Sequence, residues 1–342
     1  MKEKKKFGKR KTAWVVLIVL LSVVLLAALA AAIYVGWFFG KIHKDPNTEE
    51  TLSPEQLQQI LDEDKVATRP ADVDLVEPED VQWTQYEAIE TPDHIFNIML
   101  VGQDRRPGEI RARSDTMMLI TINTKDNTIT MTSFLRDIYV QIPGSQPNRL
   151  NLPYVYGGFF HLADTLEANF GIRVDRFIEV DFDGFQKVID AVGGVDIELT
   201  QEEAAHMNKQ KVGYVTAGVN HLNGKQALAY ARNRTVGGSD FARTQRQRNV
   251  VSAIFEKAKQ LNLLQINDLM RSLTNVVTTN LTVAELMSYV VRFYPKMQQL
   301  STPESVRIPA DGTYEYGWID GIGSVVIVDF EANRKIVAAT QK

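Results

Sequence analysis

The sequence predicts a layered α/β/α domain with a central mixed sheet, preceded by a single transmembrane helix. Three observations carry this. Ala13 to Phe39 contains no charged residue. From His94 onward, apolar runs of strand length alternate with stretches of helical periodicity, which argues for helices on both faces of one sheet. Two of the strand runs, Thr116 to Asn123 and Thr128 to Ser133, are separated only by Thr124 to Asn127 and read as a hairpin or close pair.

Residues 1–12 form a basic cytoplasmic segment, with seven Lys or Arg and one Glu in the first eleven positions. Residues 13–39 are the anchor. As a helix these would span about 40 Å, more than the roughly 30 Å hydrocarbon core, so the helix crosses with some tilt. Trp14, Tyr34 and Trp37 lie near its ends, where amphipathic rings prefer the interface. A cleaved signal peptide competes with this reading, since Ala27 to Ala32 offers small residues. The apolar run continues through Ile33 to Phe39, however, and would bury such a cleavage site in the bilayer. The positive-inside rule then puts the N-terminus in the cytoplasm and the rest outside.

Residues 40–93 read as an acidic extracytoplasmic stalk, a solvated spacer with Pro46, Pro54, Pro70 and Pro78 interleaved. One short helix is predicted from Ser53, because Ser-Pro-Glu-Gln is a start signal followed by Leu57, Ile60 and Leu61. The chain has no cysteine, which excludes a disulfide scaffold, thiolate chemistry and any zinc site built on Cys.

Residues 94–300 are expected to form the folded domain and 301–342 a C-terminal extension packed on it. Strands are predicted at Ile95 to Val101, the hairpin pair, Phe177 to Val180, Val195 to Leu199, Val306 to Pro309 and Val325 to Phe330. Helices are predicted at Tyr154 to Asn169, Gly184 to Val192, Lys225 to Ala231, Phe241 to Leu261, Ile266 to Val277 and Val283 to Gln298. Gly171 and Gly193 close the first two, and Thr282 with Glu285 opens the last as a capping box.

The chemistry concentrates in Tyr230 to Arg248, YARNRTVGGSDFARTQRQR, with five arginines and the single acid Asp240 in a protein of net charge -4. Arg232 and Arg234 are two apart, so an extended segment puts both on one side. Gly237 and Gly238 supply a turn, Asp240 is a candidate N-cap, and Arg243, Arg246 and Gln247 share one face of the following helix. Arginines in the first turns of a helix face the positive end of its dipole, and an anion there removes the conflict. A solvated helix face is the plain alternative. The Gly-Gly turn, the paired arginines and the shortage of acids favour a site for phosphate or pyrophosphate. Further charge falls at strand ends: Asp104 in GQDRR, Arg113 and Asp115 in RSDT, Arg136 and Asp137, and Arg149 in NRLN. Asp104 and Asp115 together suit a hard divalent cation such as Mg²⁺, which takes one or two carboxylates beside phosphate oxygens and water.

The segments VGQDRR, RARSDTMMLI, SFLRDIYVQIPG, DGFQKVIDAVGGVDIEL, LNGKQALAYARNR and DFARTQRQR occur in that order behind the anchor. Together they resemble the LytR-CpsA-Psr family over Ile95 to Leu261, and more loosely to Tyr294. The resemblance implies a membrane-anchored phosphotransferase of Gram-positive envelopes. Such an enzyme uses magnesium to move a glycopolymer (wall teichoic acid, capsule or similar) from a polyprenyl-pyrophosphate carrier to peptidoglycan. It puts Asp104 and Asp115 on the metal, with Arg113, Arg136, Arg232 and Arg234 as catalytic residues. Arg149, Asp240, Arg243 and Gln247 are expected around the pyrophosphate. Two departures stand out: Arg149-Leu150-Asn151 replaces the family's Lys-Ile-Asn, and Leu135 replaces its Pro before Arg-Asp. The expected partners are the lipid-linked glycan, peptidoglycan and the membrane, with no nucleic acid. The resemblance also implies an elongated apolar pocket between sheet and helices, and three predicted helices offer apolar stripes for it: Val155, Phe159, Leu162 and Leu166; Phe185, Val188 and Ile189; Leu286, Val290 and Phe293. Alternative readings are a pyrophosphatase that uses water as acceptor, a protein that only binds the lipid-linked glycan, and a non-enzymatic envelope regulator.

Overall fold

The structure, a computed structural model, describes residues 43–44, 52–62, 68–83, 86–105, 111–273 and 276–342. The anchor reading at 13–39 therefore lies outside the described residues. Among the described residues, no helix is long and apolar enough to cross a membrane.

A seven-stranded sheet organises the domain. Its strands are β1 (His43–Lys44), β2 (Ile95–Gln103), β3 (Ser114–Asn123), β4 (Thr128–Phe134), β7 (Arg176–Val180), β10 (Thr278–Thr279) and β11 (Glu304–Ile308), in the order β1-β10-β7-β2-β3-β4-β11. The sheet is mixed: β2, β3 and β4 run antiparallel as a meander, while β7 joins β2 and β11 joins β4 in parallel. The parallel contacts are the ones reached by helical crossovers, as a parallel pair requires. Two-stranded pieces surround the sheet: β5 (Tyr139–Val140) with β6 (Asn148–Arg149), β8 (Val195–Leu199) with β9 (Gly218–Leu222), and β12 (Tyr314–Ile319) with β13 (Gly323–Val328).

The helices are α1 (Pro54–Asp62), α2 (Pro153–Phe170), α3 (Phe182–Ala191), α4 (Gln201–Lys209), α5 (Gly224–Ala231), α6 (Asp240–Lys259), α7 (Leu263–Leu273), α8 (Val283–Phe293) and α9 (Phe330–Ala339). The predicted last long helix stops at Phe293, where Pro295 shifts the chain into a 3-10 turn. The short strands β1, β5, β6 and β10, the strand β9 that pairs with the predicted β8, the strand β12 and the helices α4 and α9 are additions to the sequence reading.

The two faces of the sheet are unlike. On one, Met99, Val101, Met117, Leu119 and Phe134 meet Tyr154, Phe159, Leu162, Leu166 and Phe170 of α2, and all are essentially sealed. On the other, strand alternation presents Phe96, Ile98, Leu100, Ile120 and Ile122, which are only half-buried, beside Met118, Ile129 and Met131, which are sealed. A second core, with Ile189, Val195, Met207, Leu222, Tyr230 and Val250, joins α3 to α6 and the β8–β9 hairpin.

Part of the segment read as a solvated stalk lies on the domain. Val76 and Asp74 exchange backbone hydrogen bonds with Trp318, Val81 is buried, and Trp83 packs against Tyr139 and Phe330. The reason is legible afterwards: acidic residues alternate with Leu75, Val76, Val81 and Trp83, enough apolar surface to hold an extended segment down. At the other end, β11 is an edge strand of the main sheet, so the boundary at 300 cuts through one layered domain.

Candidate active site

The ends of β2, β4 and β7 and the start of β3 meet at one edge of the sheet, the place where α/β sheets bind ligands. A cavity of about 360 Å³ opens there. Its apolar wall comes from Leu100 and Met118 of the half-open sheet face, Phe182 and Phe185 of α3, Leu228 and Ala231 of α5, and Val251 of α6. Its polar end carries Asp104, Asp115, Arg232, Arg234, Arg243 and Gln247. The cavity is of ordinary small-molecule size. Of the described residues in the apolar stripes suggested by sequence, Phe185 alone lines it. Val155, Phe159, Leu162 and Leu166 sit in the sealed core instead.

Local structure explains the placement of the arginines. Arg232 caps the C-terminus of α5, where a cation meets the helix dipole favourably, and its guanidinium lies 4.0 Å above the Phe182 ring. Ser239, not Asp240, caps α6, accepting from the Ala242 amide at 3.2 Å. This leaves the Asp240 carboxylate for side-chain partners. Arg243 and Gln247, four apart, reach the cavity together. Arg246 turns away instead, donating to Glu203 at 2.7 Å, the Asn233 carbonyl at 2.9 Å and the Val236 carbonyl at 2.7 Å. Arg246 thus ties down the loop that carries Arg234.

Arg136 is the hub. Its Nη1 donates to Asp115 at 2.7 Å and its Nε to Asp240 at 3.0 Å, with Asp137 3.4 Å away. Burial works against its charge, but Asp137, Asp115 and Asp240 outweigh this and hold the guanidinium firmly protonated. Arg243 has less compensation. It is 3% exposed, its Nη2 reaches Asp240 at 3.2 Å, and its buried Nε has no hydrogen-bond partner. Burial, then repulsion from Arg136, brings its pKa down to about 10. A buried guanidinium with an unused donor is a seat for an anion. Arg234 stands 3.9 Å from both Asp115 and Asp240, and Arg232 4.0 Å from Asp104, too long for hydrogen bonds, so charge holds Arg234 near the mouth and charge with the Phe182 ring holds Arg232.

The second carboxyl beside the hub was only a loose candidate in the sequence. Burial, against the pull of Arg136 and with help from a hydrogen bond to Asp240, pushes Asp137 up to about 6. Burial also works on Asp240, but Arg136 and the same hydrogen bond keep it below the ordinary carboxylate range. Asp137 and Asp240 therefore titrate as a pair, with Asp137 the one that takes up a proton first as pH falls.

Two expected site residues are placed apart. Arg113 does not line the cavity; it donates through Nη2 to the Ile60 carbonyl of α1. Arg149 sits behind the hub, 3.9 Å from Asp137 and bonded to the Ile322 carbonyl at 3.2 Å. Asp104 and Asp115 do share the cavity mouth, with Asp115 Oδ1 engaged by Arg136. No group of three or more His, Cys, Asp or Glu is arranged for a metal among the described residues.

Comparison with known proteins follows the same lines. TagU of Bacillus mycoides, a polyisoprenyl-teichoic acid–peptidoglycan teichoic acid transferase, is 34% identical over 219 residues, covering 63% of this chain and 69% of its own. The solved structure of TagT bound to LIIa-WTA matches with a TM-score of 0.60 at 26% identity, over 79% of this chain and 99% of that one. The structure of YwtF (TagT), a LytR-CPS2A-psr family protein with bound octaprenyl pyrophosphate lipid, gives 0.57 at 25% identity over 79% and 99%. The LytR_cpsA_psr family profile runs from residue 58 to residue 340, through the whole sheet edge and both arginine-bearing elements, and the chain belongs to that family.

Proposed function

We propose that this chain is a membrane-anchored, extracytoplasmic phosphotransferase that moves a glycopolymer, such as wall teichoic acid or capsule, from a polyprenyl-pyrophosphate carrier onto peptidoglycan. The observation that carries this is the polarity of the cavity: apolar walls ending in Arg232, Arg234 and Arg243. A prenyl pyrophosphate joins a long apolar tail directly to a multiply charged head. Octaprenyl pyrophosphate bound to YwtF and the transferase activity named for TagU support the same reading.

In this reaction a hydroxyl of the peptidoglycan sugar forms a bond to the glycan-bearing phosphorus, and the bond from that phosphorus to the bridging oxygen breaks. The leaving group is the polyprenyl phosphate. Arg232, Arg234 and Arg243 neutralise the charge that accumulates on its oxygens, by positioning and electrostatics. Arg136 holds Asp115 and Asp240 in place, and the Asp137–Asp240 pair is the nearest group able to exchange the hydroxyl proton.

Asp104 and Asp115 would hold Mg²⁺. A pair of carboxylates opening on a phosphate site suits an ion that fills its remaining positions with phosphate oxygens and water. When bound, the ion supplies further charge neutralisation. Asp104→Asn is expected to raise the magnesium requirement, read as the concentration for half-maximal rate. Indifference to both chelator and substitution would make the pair structural.

Residues 13–39 supply the anchor in this reading, which puts the site on the outer face beside its lipid. Protease treatment of intact cells should digest the domain and spare the first twelve residues. The decisive assay combines the full-length protein, a synthetic polyprenyl-pyrophosphate glycan, uncross-linked glycan strands and Mg²⁺. Mass analysis should show strands heavier by one glycan phosphate. Free glycan phosphate with unmodified strands would assign the chain to hydrolysis instead.

A further inference from the structure

We infer that Phe241, Tyr314 and Tyr316 form a saccharide subsite next to the phosphate site, on which a pyranose ring of one of the two glycans stacks. The inference rests on the proposed transfer reaction and names where its sugars lie. Phe241 directly follows Asp240, which is bonded to Arg136 at 3.0 Å and to Arg243 at 3.2 Å. Tyr314 packs on Phe241 with ring centroids 5.0 Å apart, and Tyr316 meets Tyr314 edge-on at 5.7 Å. The Arg307 guanidinium lies 4.3 Å above the Phe241 ring and is paired with Asp311, so the base of the shelf is clamped.

Strand alternation makes the exposure of this shelf unusual. Tyr314 and Tyr316 are two apart on β12, opposite Val328 and Val326 of β13, so all four side chains share one face. The two valines are sealed at 7% and 3% exposure, yet Tyr316 on the same inward face is 55% exposed. Burial, the Tyr314 contact and the charge of Asp240 together raise the affinity of Tyr316 for its proton, which puts its phenol within electrostatic reach of the site.

None of the three rings lines the apolar cavity, so the lipid tail and the shelf do not compete for space. With the tail in the cavity and the pyrophosphate at Arg232, Arg234 and Arg243, sugars have to lie beyond the arginines, and the shelf begins there at Asp240. A pyranose offers a flat C–H face rimmed by hydroxyls. An exposed tyrosine offers a ring face and a hydroxyl, and binding sites pair such an apolar plate with a few fixed polar groups.

The test uses full-length protein and Tyr316→Ala, Tyr316→Phe and Tyr316→Trp variants. Binding of bare octaprenyl pyrophosphate, which carries no sugar, checks the underlying reading and should be the same in all four. Transfer is then measured with octaprenyl pyrophosphate bearing N-acetylglucosamine as donor and uncross-linked glycan strands as acceptor. Loss of the ring is expected to raise one KM about tenfold with little change in kcat, while Phe and Trp retain it. A rise in the donor KM assigns the shelf to the carrier's glycan; a rise in the acceptor KM assigns it to peptidoglycan. If the bare lipid binds equally and both saccharide KM values stay unchanged in Tyr316→Ala, the subsite is overturned and the transfer reading stands. If wild-type protein does not bind the bare lipid, the transfer reading falls and takes the subsite with it.

Discussion

At the scale of single residues, the site is a contest between burial and charge, and Arg243 shows which side is unfinished. Its buried Nε lacks a partner and burial has already lowered its proton affinity, so it gains most when an anion arrives. Arg243→Ala should therefore cost on the order of 1.5–3 kcal/mol of transition-state stabilisation, about 10- to 100-fold in kcat/KM. Thermal stability should hold or rise, because a poorly compensated buried charge is removed. A variant that loses stability and keeps its rate would make Arg243 a structural residue. Asp137 gives a pH prediction. Its folded pKa, about 6, lies above the unfolded value, so the folded state binds more protons in between. Its contribution to stability is complete below the unfolded pKa and is lost as pH rises toward 6. Asp137→Asn should flatten that slope in denaturant titrations and remove any limb near pH 6 from the rate profile. An unchanged slope would place the titrating proton elsewhere. Residue types were legible in the sequence because five arginines against one acid cannot balance locally. Their partners were not. Nothing in the spacing of Arg246 says that it serves Glu203, or that Arg113 turns toward Ile60, since both contacts cross elements far apart in the chain.

At the scale of elements, the cavity is set by how closely α3 and α5 approach. Gly224 opens α5 and donates its amide to Asp190 at 2.7 Å. A Cβ at this position would fall 2.7 Å from the Gln186 Cα, against backbone that cannot swing aside. Gly224→Ala should push α5 outward, costing about 1–3 kcal/mol of stability. It should also displace Arg232 at the far end of the same helix, weakening octaprenyl pyrophosphate binding beyond what the stability loss explains. Normal lipid affinity in a destabilised variant would show that α5 yields at its N-terminus only. Element existence was largely readable: apolar periodicity and caps such as Thr282–Glu285 marked the five longer strands of the sheet and most helices. The capping box Thr200–Glu203 was equally present before α4 but sits in a segment with little apolar periodicity, and β12 was hidden by Gly317 and the charged Glu315. The Ser239 cap was masked because Asp240 beside it is as good a capping residue by type.

At the scale of the whole molecule, one sheet serves two solvents. Its face toward α2 is finished as a core, and its face toward α3, α5 and α6 is left half-open around the cavity. Apolar surface left in water costs about 25 cal/mol per Å², and the prenyl tail of the proposed substrate would cover it. The sequence could predict a lipid slot from its resemblance but not which face holds it, because both faces read as equally apolar strands. Paired substitutions separate the two. Leu119→Ala, on the sealed face, should cost about 2–5 kcal/mol through the hole it leaves, with octaprenyl pyrophosphate affinity intact in the folded fraction. Leu100→Trp, on the half-open face, places bulk into existing space, so stability should shift by less than about 1 kcal/mol. The cavity of about 360 Å³ would then have lost the room a prenyl tail needs, and affinity for octaprenyl pyrophosphate should fall while affinity for inorganic pyrophosphate at the arginines is kept. If Leu100→Trp instead destabilises as much as Leu119→Ala and leaves lipid affinity alone, the second face is an ordinary core and the prenyl tail stays in the bilayer while only its head is recognised.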